Sequence, residues 1–238
     1  MLPNFSPIIT ITFVALCLLV FFYFAKIVLS PLLDSGKKRL AYSVLGAMIL
    51  WVVVQSVVAG SGFYIASFEL PPRALLVLGP PLVVMLVLFS FYWRRDYFLK
   101  VSLESLTYIH VFRLPLEWFV LSSLFLSGYL SEVMTYHGRN FDILVGISAP
   151  IVAYLVFSRK SLSWKSLLVW NIVSLLFLIN VTTHAVLSMP YPDFQQFGFN
   201  QPNVAVFYFP FILLPVILVQ VAYFCHIASI IQILRIRD

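Results

Sequence analysis

Long apolar runs separated by short polar breaks make up almost the whole chain. Seven runs stand out, roughly Pro7–Leu29, Leu40–Ser67, Ala74–Trp93, Leu114–Leu130, Phe141–Phe157, Leu167–Leu187 and Val204–Leu234. A membrane-crossing helix needs about 20 predominantly apolar residues. The pattern therefore predicts an all-α integral membrane protein, a seven-transmembrane helix bundle in one domain spanning 1–238. No linker, low-complexity tract or soluble domain interrupts it. Gly60-Ser61-Gly62 reads as the turn that ends the second run.

Composition strengthens this reading. Of the 238 residues, 62% are hydrophobic and only 10% charged. A soluble domain carries about 25% charged residues to cover its surface, so this surface is expected to face lipid. The net charge of +6 could suggest nucleic acid, but the charges sit at helix ends, where they meet anionic headgroups. Nucleic acid is therefore not an expected partner; the bilayer is.

The placement of the basic residues gives an orientation. Lys26, Lys37, Lys38, Arg39, Arg94, Arg95, Lys100, Arg159, Lys160, Lys165, Arg235 and Arg237 fall on one side of the seven runs. Arg73 and Arg139 fall on the other, with Arg113 at or inside the membrane edge. The rich side is cytoplasmic by the positive-inside rule. That places the N-terminus outside and the C-terminus in the cytoplasm, as in a multi-pass protein of a cell inner (plasma) membrane. Met1–Ser6 holds no Lys or Arg, so the first run lacks a signal peptide's basic start and is expected to stay as a helix. The longest outside loop, Pro190–Asn203, reads PYPDFQQFGFNQPN. It suits either a lid over an outward-facing cavity or an aromatic loop anchored among headgroups.

The first three runs also resemble the last three. Both sets have basic residues after an aromatic end at Phe24-Ala25-Lys26 and Phe157-Ser158-Arg159, a lysine two places before a leucine at Lys38 and Lys165, and paired prolines at Pro80, Pro81 and Pro210, Pro215. This suggests a three-one-three repeat, 5–95 and 140–234, joined by a connecting segment at 97–130. In helix count, orientation and repeat the chain resembles the SWEET and PQ-loop sugar transporters, which implies a small-solute site near the midplane. Its second and sixth runs hold no proline and no Pro-Gln pair occurs, so no family residue transfers. A retinal protein needs a lysine in its last span, and none follows Lys165. The segments GRNFDILVG, FDILVGISAP, QPNVAVFYFP and the late HIAS are similar to those of uncharacterised bacterial inner-membrane proteins. That similarity implies a bacterial home and no activity.

Polar residues inside apolar runs are the candidate chemistry, because a charge there is costly and marks function. Arg113 and Glu117 are four residues apart on one helix face and can form an intramembrane ion pair. Alternatively Pro115 opens the fourth helix at Leu114, 97–112 lies in the interface as an amphipathic helix, and Arg113 snorkels to headgroups. Gln55, Asn180 and Gln220 sit near mid-depth of their runs, with Trp51 one turn from Gln55. Converging, they would bind a small neutral solute; apart, they would tie helices together. The histidines divide into His110 with His226 and His137 with His184. Such pairs could ligate haem, or a metal with Glu132 or Asp142, but no local spacing supports either. No cofactor and no metal site is expected. Cys17 and Cys225 read as core residues.

No catalytic motif occurs, so an enzyme is the less favoured class. The leading expectation is a transporter of a small neutral solute. The alternatives are a membrane scaffold, sensor or complex subunit that binds a protein partner or a second copy of itself, and a haem-binding or intramembrane enzyme.

Overall fold

The computed structural model describes residues 5–69, 71–92, 98–193 and 195–235. Arg94, Arg95, Asp96 and Arg237, which contribute to the charge pattern, lie outside the described residues, as does the start of the expected interfacial helix. Among the described residues the protein is all-helical. Its long helices are α1 (Pro7–Asp34), α2 (Lys38–Gly60), α3 (Leu75–Tyr92), α4 (Leu103–Leu126), α5 (Asp142–Ser158), α6 (Trp164–Leu187) and α7 (Leu214–Arg235). Five of these, α1, α2, α4, α6 and α7, are long and apolar enough to cross a membrane; α3 and α5 are shorter apolar helices.

The boundaries show where local chemistry overrides the apolar pattern. α2 stops at Gly60, short of the expected Ser67, because the backbone reverses through Gly62 at φ +76°. α7 begins at Leu214, ten residues after the apolar run does. Pro210 lacks an N–H, and the stretch before it forms only a short 3₁₀ turn at Ala205–Phe207.

α4 is the main departure. It starts at Leu103, capped by the Ser102 hydroxyl, which accepts from Ser105 N at 3.2 Å. It then runs straight through Pro115 to Leu126. Pro115 does not open the helix, and Arg113 does not reach headgroups from a helix end: Arg113 is only 1% exposed. The helix accommodates the proline by changing pitch, tightening to 3₁₀ over Ile109–Phe112 and widening to π over Leu116–Leu121. A proline removes one hydrogen bond and crowds the preceding turn, and a π segment absorbs that misfit. The same pairing of proline and π turn recurs in α5, with Pro150 before Tyr154–Ser158, and in α7, with Pro215 inside Leu214–Leu218.

α7 is the centre of the bundle and touches α1, α2, α3, α4 and α6. Its most apolar stretch is 67% buried, against 11% for α2, which lies at the periphery on α1. α5 packs along α4. The two helices are in tight contact at Gly146, where a side-chain carbon would stand 2.5 Å from Leu114 N.

The segment between α6 and α7 folds back over the bundle end. Asn203 N donates to Ser188 O at 2.8 Å and Ala205 N to Tyr129 O at 2.9 Å. The Gln201 amide donates to both Phe125 O and Leu130 O at 2.7 Å. Tyr191 and Phe207 are buried, each edge-on to Phe68. The loop is a tied-down cover over the helices, with Phe199 left exposed at its tip.

Candidate functional site

The inward face of α4 carries His110, Arg113 and Glu117, all 3% exposed or less. Their spacing of three and four residues keeps them on one side of a helix, while Trp118 points outward. Such groups need partners when buried, and α5, α6 and α7 supply them.

The Arg113 guanidinium donates to Asp142 Oδ1 at 3.0 Å in a buried ion pair. The expected Arg113–Glu117 pair therefore does not form. Asp142 enters because α5 presses on α4 at Gly146, one turn further along, which brings the first turn of α5 opposite Arg113. Glu117 instead accepts a short hydrogen bond from the Asn140 amide. That amide also donates to Met134 O at 2.9 Å, and its oxygen accepts from Asp142 N at 3.0 Å. Asn140 thereby anchors the start of α5 and ties Glu117 to it.

The other face of Arg113 meets α7. Its second Nη stands 3.4 Å from His226 Nε2, and His226 Nδ1 is 3.0 Å from Asn171 Oδ1 on α6. The Asn171 amide nitrogen donates to Leu167 O at 3.0 Å, which fixes the oxygen toward the histidine. The network assigns the tautomer: Nδ1–H donates to Asn171, and Nε2 accepts from Arg113. His110 stacks on His226 with ring centroids 3.9 Å apart and planes within 10°. Trp170 lies against both rings, edge-on to His110 at 5.8 Å and tilted to His226 at 5.7 Å, its Nε1–H donating to Ser148 Oγ at 2.9 Å. Rings in contact leave no gap for a porphyrin, so this pair does not hold a haem from opposite faces. Among the described residues no group of three or more His, Cys, Asp or Glu is placed to bind a metal.

Arg113, Glu117 and Asp142 border a cavity of about 70 Å³ between α4, α5, α6 and α7. Its walls are otherwise largely apolar. Met189, Asn203 and Val206 of the folded-back segment complete the lining, so this segment covers one end. That volume has room for a few waters or a short chain of heavy atoms.

The other sequence candidates do not meet there. Gln55 and Trp51 line a second pocket of about 370 Å³ between α2 and α3. The Gln55 oxygen accepts a short bond from Tyr64 OH, and its nitrogen donates to Leu76 O at 3.4 Å. The Asn180 amide donates to Arg139 O at 2.7 Å and the Gln220 amide to Pro215 O at 3.2 Å. The amides are thus drawn to separate backbone carbonyls. His184 lies beside Arg139, at 3.4 Å, rather than against His137. Sequence reasoning passed over Asn140, Asn171 and Asn203, and considered Asp142 and His226 only as metal or haem ligands. The run GRNFDILVG was the available signal, since it carries both Asn140 and Asp142.

Fold and site together define a protein that is all-helical among the described residues, apolar-surfaced, and built around a buried ion pair beside a cavity. The model of a domain of unknown function (DUF8737) matches residues 70–234, and the chain belongs to that family. The match contains every residue of the cluster and the cavity lining. No curated protein and no solved structure matches the chain.

Proposed function

We propose that the protein is a multi-pass membrane protein that carries a small solute through the cavity between α4, α5, α6 and α7. The supporting observation is that Arg113, Glu117 and Asp142 border one cavity, covered at one end by the segment between α6 and α7. Ionisable groups among apolar helices are costly and recur along solute and proton pathways. In this reading the chain crosses a plasma membrane seven times, N-terminus outside, with the segment between α6 and α7 as the outer cover. α5 has 17 residues, about 25 Å of helix, and α3 has 18. Both approach the roughly 30 Å of a hydrocarbon core. The three-one-three repeat and the likeness to SWEET-type carriers, with a bacterial inner membrane as home, belong to the same proposal.

The solute contacts in this reading are Glu117, held by Asn140, and Asn203, held by Ala185 O. The neutral-amide site of Gln55, Asn180 and Gln220 is not retained, because Gln55 lines the pocket between α2 and α3 and none of the three lines the cavity beside Arg113.

The test is solute entry into proteoliposomes. Vesicles with and without the full chain are moved into isosmotic glycerol, urea or ethanolamine hydrochloride, and swelling is followed by light scattering. At least one solute is expected to enter faster with the protein present. Ala185→Phe, which fills the cavity wall, returns that rate to the protein-free value. Equal rates with and without protein for every solute overturn the carrier reading.

A further inference from the structure

We propose that the cavity binds a small molecule that carries a protonated amine on a short apolar body, with Glu117 and Asn203 as its hydrogen-bond acceptors. The inference rests on the solute-site reading above and adds the chemical class.

The first observation is a charge count. The described ionisable residues bordering the cavity are Arg113, Glu117 and Asp142, one cation against two carboxylates. Arg113 is committed to Asp142 at 3.0 Å. His226 does not supply a second cation, because its Nε2 faces the guanidinium as an acceptor and its Nδ1 faces Asn171 Oδ1. Glu117 has only a neutral donor, the Asn140 amide. A carboxyl among apolar helices either takes up a proton or is paired with a cation, and a ligand ammonium in the cavity is the cation that would pair it.

The second observation is independent of charge. Asn203 is fully buried and lines the same cavity from the covering segment. Its amide nitrogen donates to Ala185 O at 3.2 Å, which fixes the side chain's orientation. Its oxygen, Oδ1, is buried without a hydrogen-bond donor. A buried acceptor left empty is costly. Glu117 and Asn203 thus bring two acceptors to the border of one otherwise apolar cavity, and an occupant that meets them needs donors. The remaining walls, including Leu116, Leu178 and Leu218, suit a few carbons. An ammonium has donors, positive charge and no acceptor; an alcohol lacks the charge, and a carboxylate has the wrong sign.

The probe is n-butylammonium chloride, compared with n-butanol and sodium butyrate at equal ionic strength. The full chain in lipid nanodiscs is titrated, and thermal unfolding is followed, because a ligand of the folded state raises the midpoint by mass action. A saturable rise with butylammonium alone is expected. Glu117→Gln weakens the apparent affinity about 10–100-fold, the range for a lost hydrogen bond to a charged group. Asn203→Leu weakens it about tenfold and carries the test if Glu117→Gln does not fold. An equal rise with butanol, a preference for butyrate, no saturable rise, or unchanged affinity in the folded variants each overturns the proposal. Saturable ammonium binding without flux would leave this site and remove the carrier. Flux without ammonium preference would do the reverse.

Discussion

Gly146 of α5 lies so close to α4 that a side-chain carbon on it would stand 2.5 Å from the Leu114 nitrogen. That contact sets where α5 begins relative to α4, and hence that Asp142 faces Arg113. Gly146→Ala should push the helices apart and cost roughly 1–3 kcal/mol, the range for overpacking. Gly46→Ala is the control, since nothing lies within 4 Å of an added carbon there. In a helix it should be neutral or stabilise by about 0.5–1 kcal/mol. Thermal unfolding of both variants checks this; equal midpoints would mean that the α4–α5 contact does not position the cluster.

The ion pair makes a second prediction. Asp142→Asn leaves Arg113 buried without its counter-charge and should cost about 3–5 kcal/mol. Arg113→Leu combined with Asp142→Leu should recover much of that loss. Arg113→Leu combined with Glu117→Leu should not, because it strands Asp142 instead. A double-mutant cycle on unfolding free energies separates the two pairs. Stronger coupling of Arg113 to Glu117 than to Asp142 would refute the geometry.

Much of this architecture was legible in the sequence, and the reasons it was partly hidden are specific. Apolar runs announce helices because little but lipid or core tolerates them, and each of the long helices falls within or across such a run. The boundaries went astray at Gly62, Pro115 and Pro210. At Pro115 the usual rule, that proline starts a helix, yields to packing that holds the helix together through a pitch change. That Arg113 and Glu117 share one helix face is legible, since four-residue spacing is local. Their partners were not legible. Asp142 and His226 come from other helices, and no sequence spacing records that Gly146 brings α5 against α4 or that α7 runs through the middle. The amides misled because depth in an apolar run says nothing about which face a residue occupies.

His226 and Asn171 supply a third prediction. Asn171→Leu removes the acceptor from His226 Nδ1–H and should cost about 1–3 kcal/mol, the penalty for an orphaned buried donor. In the unaltered protein, ¹⁵N NMR of labelled histidine should find His226 with its proton on Nδ1. A proton resident on Nε2 would contradict the hydrogen bond from Arg113.

Topology is the fourth. Single cysteines at Ser35, Ser161 and Asp193, all in exposed turns or loops, are labelled in intact cells with an impermeant maleimide. Asp193→Cys should react, while Ser35→Cys and Ser161→Cys should react only after permeabilisation. Labelling of either serine position from outside would overturn the orientation.

The central claim is that the cavity beside Arg113, Glu117 and Asp142 is a ligand site. A density map of the full chain, purified without added ligand and returned to lipid nanodiscs, tests it most directly. The account predicts an open cavity with non-protein density between the Glu117 carboxylate and Asn203 Oδ1, and Arg113 held on Asp142. A cavity closed by the protein's own side chains, with Asn203 Oδ1 bonded to one of them, would contradict it.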